Sequence, residues 1–331
     1  MKKRSLNIAA LAAALLAIAP LAPAQSNAAA PAPPAAWPTK PVRILVGFPG
    51  GSTPDMAARI LAESLAKVLG QPVIVENKPG ASGNLSADLV AKAVDDHTLG
   101  VVINGNLTSA KVLNPNLPYD PAKDFSYISL LTTAPLVLVA PAGAPDGSAF
   151  FSAATAQGDK WNYGSVGNGS VAHLGMELLK SRVKGLRPVH VPYQGNPAVV
   201  TGLLGEQIQL ALVPPGIAMA QVKAGKLKAI GLTSGRSTLA PEVASLADAG
   251  VRNFNLEVWT ALVGPAKLSR AAQDRLSSEV PKIIANAETR QKLFNQGWQA
   301  VGTSPDGMRL RVKDEAAIMN GIISAQAIKL E

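Results

Sequence analysis

The chain has 331 residues, 31 lysines and arginines against 22 aspartates and glutamates, and no cysteine. Without cysteine there can be neither disulfides nor thiolate metal sites, so a hydrophobic core must hold the fold. The formal charge of +9 comes with only 4% aromatic residues and no basic run interleaved with aromatics, which argues against a nucleic-acid surface.

The chain opens on a secretory pattern. Lys2, Lys3 and Arg4 precede an apolar run over residues 8–18, and Ala22-Pro23-Ala24 supplies the small residues of a cleavage site. A signal peptide over residues 1–24 is expected, with cleavage near Ala29 or Ala30 as the alternative, and with it export to the periplasm. Loss of those three basic residues lowers the charge from +9 to +6, a mild excess that suits anions. Residues 25–37 read as an extended Ala/Pro leader. No later segment approaches the ~20 apolar residues of a membrane span.

From Val42 onward, short β-rich runs alternate with helical patterns, the mark of an α/β fold with mainly parallel sheets. Val42-Arg43-Ile44-Leu45-Val46 is β-branched and bounded by Pro41 and Gly47, as a buried strand would be. The loop Gly47-Phe48-Pro49-Gly50-Gly51-Ser52 follows. Thr53 is expected to cap the next helix, with Pro54 at its first position, Asp55 at the positive end of its dipole, and Gly70 as its stop. Such a turn aims free backbone N–H groups into a crevice.

Further strands are expected over 72–76 and 98–103, each ending in a polar, glycine-containing loop; the second is Asn104-Gly105-Asn106-Leu107-Thr108-Ser109. One or two strands follow over 125–139, then Ala140-Pro141-Ala142-Gly143-Ala144-Pro145, whose composition suits a crossover between domains. The pattern then restarts: strand 161–166, loop Gly167-Asn168-Gly169, helix 170–183. Strands at 189–193, 208–213 and 227–233 alternate with helices at 197–204 and 217–224. The strand beginning Glu257-Val258-Trp259 would carry the chain back, and a mostly helical remainder from Ser269 would pack on the first sheet. This predicts two lobes: residues 38–139 with 262–331, and residues 140–261, joined by two crossover segments.

Several motifs in this order resemble the periplasmic receptors of the tripartite tricarboxylate transporters, the Bug family. The most specific are Phe48-Pro49-Gly50-Gly51-Ser52-Thr53-Pro54-Asp55 with Arg59, Glu76-Asn77-Lys78-Pro79-Gly80-Ala81-Ser82-Gly83-Asn84, and Leu117-Pro118-Tyr119-Asp120-Pro121. Tyr163-Gly164-Ser165-Val166-Gly167-Asn168-Gly169-Ser170 with His173, and Val191-Pro192-Tyr193-Gln194-Gly195, continue the run. The resemblance implies a two-lobed periplasmic-binding-protein fold of type II-like form, which closes on a small carboxylate and presents it to membrane permease subunits. It implies no cofactor and no catalysis, and a monomer is expected.

The ligand-binding groups implied are Phe48, Gly50, Gly51, Ser52, Thr53 and Asp55 on the first loop, and Asn104, Asn106 and Thr108 on the second. Ser165, Gly167, Asn168, Gly169, Ser170 and His173 would face them from the other lobe, with Tyr193 and Gly195 beside them. Two departures from the family pattern matter. Ser52 stands where glycine is common, and Pro214-Pro215 stands where many members carry an acid, so a ligand ammonium would lose its partner. Trp259 is a candidate for the cleft wall, with core packing at the return crossing as the alternative.

Two other readings remain beside this one. Ser170 and His173, one helical turn apart, invite a hydrolase, although no G-x-S-x-G elbow and no orienting carboxylate are evident. A sensor that hands its liganded surface to a membrane kinase is the other.

Overall fold

The computed structural model describes residues 37–329, so the expected signal peptide and all of the leader except Trp37 lie outside the described residues. Among the described residues no helix is long and apolar enough to cross a membrane.

The first strand, β1 (Val42–Val46), is buried at every position but Arg43. It feeds α1 (Thr53–Leu69), whose Ala57, Ala58, Leu61, Ala62 and Leu65 form the buried stripe that holds it on the sheet. Gly70 ends α1 in the left-handed region, at φ 69°, where an L side chain would be strained. β2 (Val73–Asn77), α2 (Asn84–Ala91) and β3 (Thr98–Ile103) complete a repeating strand–helix unit. The helical turns α3 (Asn104–Leu107) and α4 (Ala110–Leu113) lead to β4 (Phe125–Pro135) and β5 (Val137–Pro141).

The second half runs α5 (Gly147–Gln157), β6 (Asn162–Ser165), α6 (Val171–Arg182), β7 (Val189–Pro192), α7 (Asn196–Leu204), β8 (Leu210–Val213), α8 (Pro215–Lys223) and β9 (Leu227–Leu232). The chain returns through β10 (Glu257–Pro265) and finishes with α9 (Arg270–Ala285), α10 (Ala287–Asn295), β11 (Gln299–Ala300) and α11 (Pro305–Ala325).

Two sheets result, a six-stranded one ordered β11-β4-β10-β3-β1-β2 and a five-stranded one ordered β7-β6-β8-β5-β9. In the first, β1, β2, β3 and β4 share one direction while β10 and β11 oppose it. In the second, β5 alone runs against its neighbours. The opposed strands β5 and β10 are the ones that have just arrived from the other sheet, so they enter from the far end; β11 is a two-residue edge strand that also opposes β4. This is a two-lobed α/β fold.

The chain passes between the sheets at Leu136, and it returns between Leu232 and Glu257, so residues 140 and 261 fall inside β5 and β10. Both passages meet at Thr233. Its hydroxyl accepts the Leu136 N–H at 2.9 Å and donates to the Leu256 carbonyl at 2.7 Å, while its own N–H reaches the Leu136 carbonyl. The last helix does not stay on the first sheet as expected. Met319, Ile322 and Ile323 near the end of α11 enter the apolar cluster built by Leu174, Met176 and Leu179 of α6, because their three- and four-residue spacing makes one stripe. α11 therefore straps one lobe to the other.

Candidate functional site

A cleft of about 210 Å³ opens between the lobes at the carboxyl ends of β1 and β6. It is lined by Gly47, Phe48, Gly80, Ser82 and Gly83 from one side and by Val166, Gly167, Asn168, Pro192, Tyr193 and Gln194 from the other. Among the described residues no charged side chain lines it. Attraction of an anion here falls to N–H groups, hydroxyls and the starts of helices.

The β1–α1 loop divides its residues between two tasks. Phe48, Ser52 and Thr53 are buried toward the cleft side, whereas Gly50 and Gly51 lie exposed. Ser52, not Thr53, holds the cap position of α1, but its side chain makes no capping bond. Asp55 instead ties down the loop before the helix: its carboxylate accepts from the Gly51 N–H at 2.9 Å, Asn77 Nδ2 at 2.8 Å and Arg59 Nε at 3.0 Å. Burial pushes that carboxyl upward, and the bonds from Arg59, Asn77 and Gly51 outweigh it, leaving Asp55 below the usual carboxylate range. Asp55 and the Gly51 N–H are thus spent on the loop itself.

Gly47 must be glycine, since a Cβ there would lie 2.5 Å from the Gly83 Cα. That approach seats the Ser82–Gly83 turn against Phe48. The turn is held from beneath by Asn106, whose amide donates to the Ser82 carbonyl at 3.1 Å and to Asn84 Oδ1 at 2.8 Å.

The expected polar loop at 104–109 is buried throughout, helical over 104–107 and a turn at Thr108 and Ser109. Asn104 donates to Glu315 Oε1 at 2.6 Å and to the Glu257 carbonyl, and the Thr108 hydroxyl returns to the Asn104 carbonyl. Neither they nor Asn106 line the cleft. The strand β3 ends where three elements converge, so its polar groups are consumed by bonds that the linear sequence does not reveal.

In the second lobe, Ser165 Oγ lies 2.7 Å from His190 Nε2 and accepts the Gly167 N–H at 3.0 Å. Gly167 sits at φ +116°, and a Cβ on it would fall 2.1 Å from Ser82 Oγ of the facing lobe. The Gly169 carbonyl accepts from Ser109 Oγ across the gap at 2.6 Å. Ser170 caps α6 by accepting the His173 N–H, and His173 Nδ1 accepts the Gly169 N–H at 3.1 Å.

The His173 and His190 rings stack with centroids 4.3 Å apart, and His190 stacks on Tyr163 at 4.9 Å. Burial, opposed by Glu177 and reinforced by Lys180, holds His173 down at about 4, and burial with the neighbouring His173 holds His190 at about 3. Both imidazoles are therefore neutral at pH 7. With His173 Nδ1 occupied by Gly169 and Ser170 Oγ occupied as a cap, Ser170 and His173 do not pair as nucleophile and base.

Tyr193 lines the cleft, and its N–H is tied to the Ser165 carbonyl. Gly195, at φ +148°, approaches Pro49 of the other lobe, and Asn196 Nδ2 donates to Thr53 Oγ1 at 2.8 Å. The lobes are closed on one another. Behind the cleft, a small chamber is lined by Phe48, Ser52, Thr53, Pro54, Ile103, Val166, Asn196, Val258 and Trp298.

Trp298, absent from the expected set, walls this chamber. Trp259 is buried elsewhere, donating to Glu315 Oε2 at 2.5 Å. No pattern marks Trp298, which sits between α10 and a two-residue strand. Ser82 and Gly83 had a signal, because they belong to a glycine-containing loop after a strand. Among the described residues no group of three or more His, Cys, Asp or Glu is placed to hold a metal ion.

Fold and cleft together define a class: a two-lobed α/β protein of the solute-binding type, with a cleft between its lobes. The model for the tripartite tricarboxylate transporter family receptor matches residues 57–328, and the chain belongs to this family of periplasmic Bug-type receptors. It is similar to the protein BugT of Bordetella pertussis, at 30% identity over 322 residues, covering 96% of this chain and 98% of that one. Among solved structures it is similar to MatC from Rhodopseudomonas palustris with bound malate, at 30% identity and TM-score 0.81, covering 87% of this chain and all of the other. An R. palustris protein, Rpa4515, solved with adipate, shares 26% identity and a TM-score of 0.84 over 88% of this chain and 99% of its own.

Proposed function

We propose that this receptor captures a small carboxylate between its lobes in the periplasm and delivers it to the membrane subunits of a tripartite tricarboxylate-type transporter, without chemical change. The observation that carries this reading is the cleft lining, where Ser82, Asn168, Tyr193 and Gln194 bring hydroxyls and amides and, among the described residues, no charged side chain takes part. A helix N-terminus favours an anion by about 0.3–1 kcal/mol, and hydrogen bonds to a charged group add about 1.5–3 kcal/mol each. Closure excludes water and strengthens each of them. Malate and adipate in two similar structures support an acid as the ligand.

On this reading Phe48, Gly167, Asn168 and Tyr193 would meet the acid in the cleft, with Ser52 and Thr53 behind them in the chamber. Asp55, Asn104, Asn106, Thr108, Ser165, Ser170 and His173 shape the loops that present them. Pro214 and Pro215 begin α8, and with no carboxylate in the cleft lining a ligand ammonium has no counter-charge. The preferred acid therefore lacks an amino group.

The test is a thermal-shift titration of the exported chain with mono- and dicarboxylates, each beside its 2-amino analogue. Stabilisation by at least one acid, absent for the amino analogue and without turnover, is expected. If no acid in a broad panel shifts melting, carboxylate capture is wrong.

A further inference from the structure

The chamber behind the cleft holds two buried polar atoms with no protein partner. Ser52 Oγ and Trp298 Nε1 both lack a hydrogen-bond partner, and both residues are 1% exposed. Both line the same chamber, of about 30 Å³. Buried donors left unpaired are rare in native proteins, because each has given up its water for nothing. Two of them on one small chamber point to a shared acceptor.

The chemistry around them is one-sided. Indole N–H is a donor only, and the serine hydroxyl is free to turn its proton inward. Thr53 Oγ1 is already occupied by the Asn196 amide. Thr53 and Pro54, the first residues of the seventeen-residue helix α1, form another wall, so the positive end of that dipole faces the same space. Of the rest of the lining, Phe48, Ile103, Val166 and Val258 are apolar, and Asn196 is held by its bond to Thr53. A single water needs roughly 10–15 Å³ of such space, so the chamber has room for one oxygen-bearing group and little more.

Chamber and cleft share two residues, Phe48 from one lobe and Val166 from the other, so they are consecutive compartments. Trp298 closes the far end: its other side borders an open groove with Arg290, Gln291 and Phe294. Its neighbour Gly297 packs on Gly216 of the facing lobe, where a Cβ would lie 2.1 Å from the Gly216 nitrogen. The indole is thus seated by lobe closure.

We propose that Ser52 and Trp298 form a two-donor site for a single oxygen at the inner end of the cleft, filled by an oxygen of the bound acid or by one water that bridges to it. This rests on the carboxylate-receptor reading for the identity of the ligand, but not for the existence of the oxygen site. Trp298 and Ser52 are then the residues that determine which acids fit, through the reach and acceptor strength of the innermost group.

A crystal structure of the exported chain, resolved well enough to show ordered water, tests the site without knowledge of the ligand. An oxygen within hydrogen-bond distance of both Ser52 Oγ and Trp298 Nε1 is expected. An empty chamber, or protein partners for both atoms, overturns the proposal. An occupied chamber in a chain that no acid stabilises keeps the oxygen site and sinks only the receptor reading.

The energetic arm uses Trp298→Phe, which keeps the wall and removes the donor, and Ser52→Ala. Each should weaken the best-bound acid of the panel about tenfold, the scale of one hydrogen bond to a charged group. The double variant should lose less than the product of the two, because both donors serve one atom. Unchanged affinity in Trp298→Phe, with unfolding temperature preserved, overturns the role in selection. In the complex, density continuous with the acid identifies a ligand oxygen, and separate density identifies the bridging water; either supports the site.

Discussion

His173 and His190 show how single residues support the cleft without touching the ligand. Their stacked rings sit under the loop that carries Gly167 and Gly169, and His173 Nδ1 can accept the Gly169 N–H only while that ring is uncharged. Folded-state values of about 4 and about 3 lie below the ordinary 6.5. The unfolded chain therefore binds protons first as pH falls, and stability declines through that window. Unfolding temperature should be level above pH 6.5 and drop steadily from there toward pH 4. Replacing His173 with Gln should flatten that slope in calorimetric scans across the same pH range. Asp55 contributes in the same direction but later, since its lowered value means that its stabilisation is lost only below the ordinary carboxylate range. A slope that His173→Gln leaves unaltered would place the acid sensitivity elsewhere.

At the scale of elements, helix starts and close backbone approaches do the positioning. The run from β1 through α1 could be read in advance because its signals are local: β-branched residues, a glycine-rich turn, a proline early in the helix, and an apolar stripe ending at Gly70. What the run could not show is that Asp55 and Asn77 would meet, since they lie on different elements. α3 was equally hidden, because four residues carry no periodicity.

Gly216, in the first turn of α8, lies close against the backbone of the facing lobe. A Cβ there would lie 1.8 Å from the Gln296 carbonyl oxygen, a clash with backbone that no rotamer relieves. Gly216→Ala should leave each lobe folded but hold the lobes apart. Ligand affinity should fall by tenfold or more, and small-angle scattering should show a larger radius of gyration. An unaltered radius would mean that α8 yields locally.

For the molecule as a whole, two lobes connected through Leu136, Thr233 and Leu256 and strapped by α11 can rotate as units. The bond from Asn196 to Thr53 exists only when they meet. Removing it with Asn196→Ala should cost the closed form about 0.5–1.5 kcal/mol, the worth of one neutral hydrogen bond. Titration calorimetry should read that as a fewfold to tenfold weaker affinity, with little change in the melting of the unliganded protein. Equal affinity in the variant would remove this bond from the closing mechanism.

By itself, the sequence determined the α/β alternation, the doubled strand–loop–helix unit and the family. Periodicity, turn residues and ordered motifs are properties of neighbours along the chain. Only the tertiary structure decided which loop residues face the cleft and which are spent on each other, as with Asp55, Asn104 and Asn106. It alone brought Trp298, from the last sixth of the chain, to the back of a chamber that begins at Ser52. Contacts of that kind depend on where separate elements come to rest, and no local pattern encodes the distance between them.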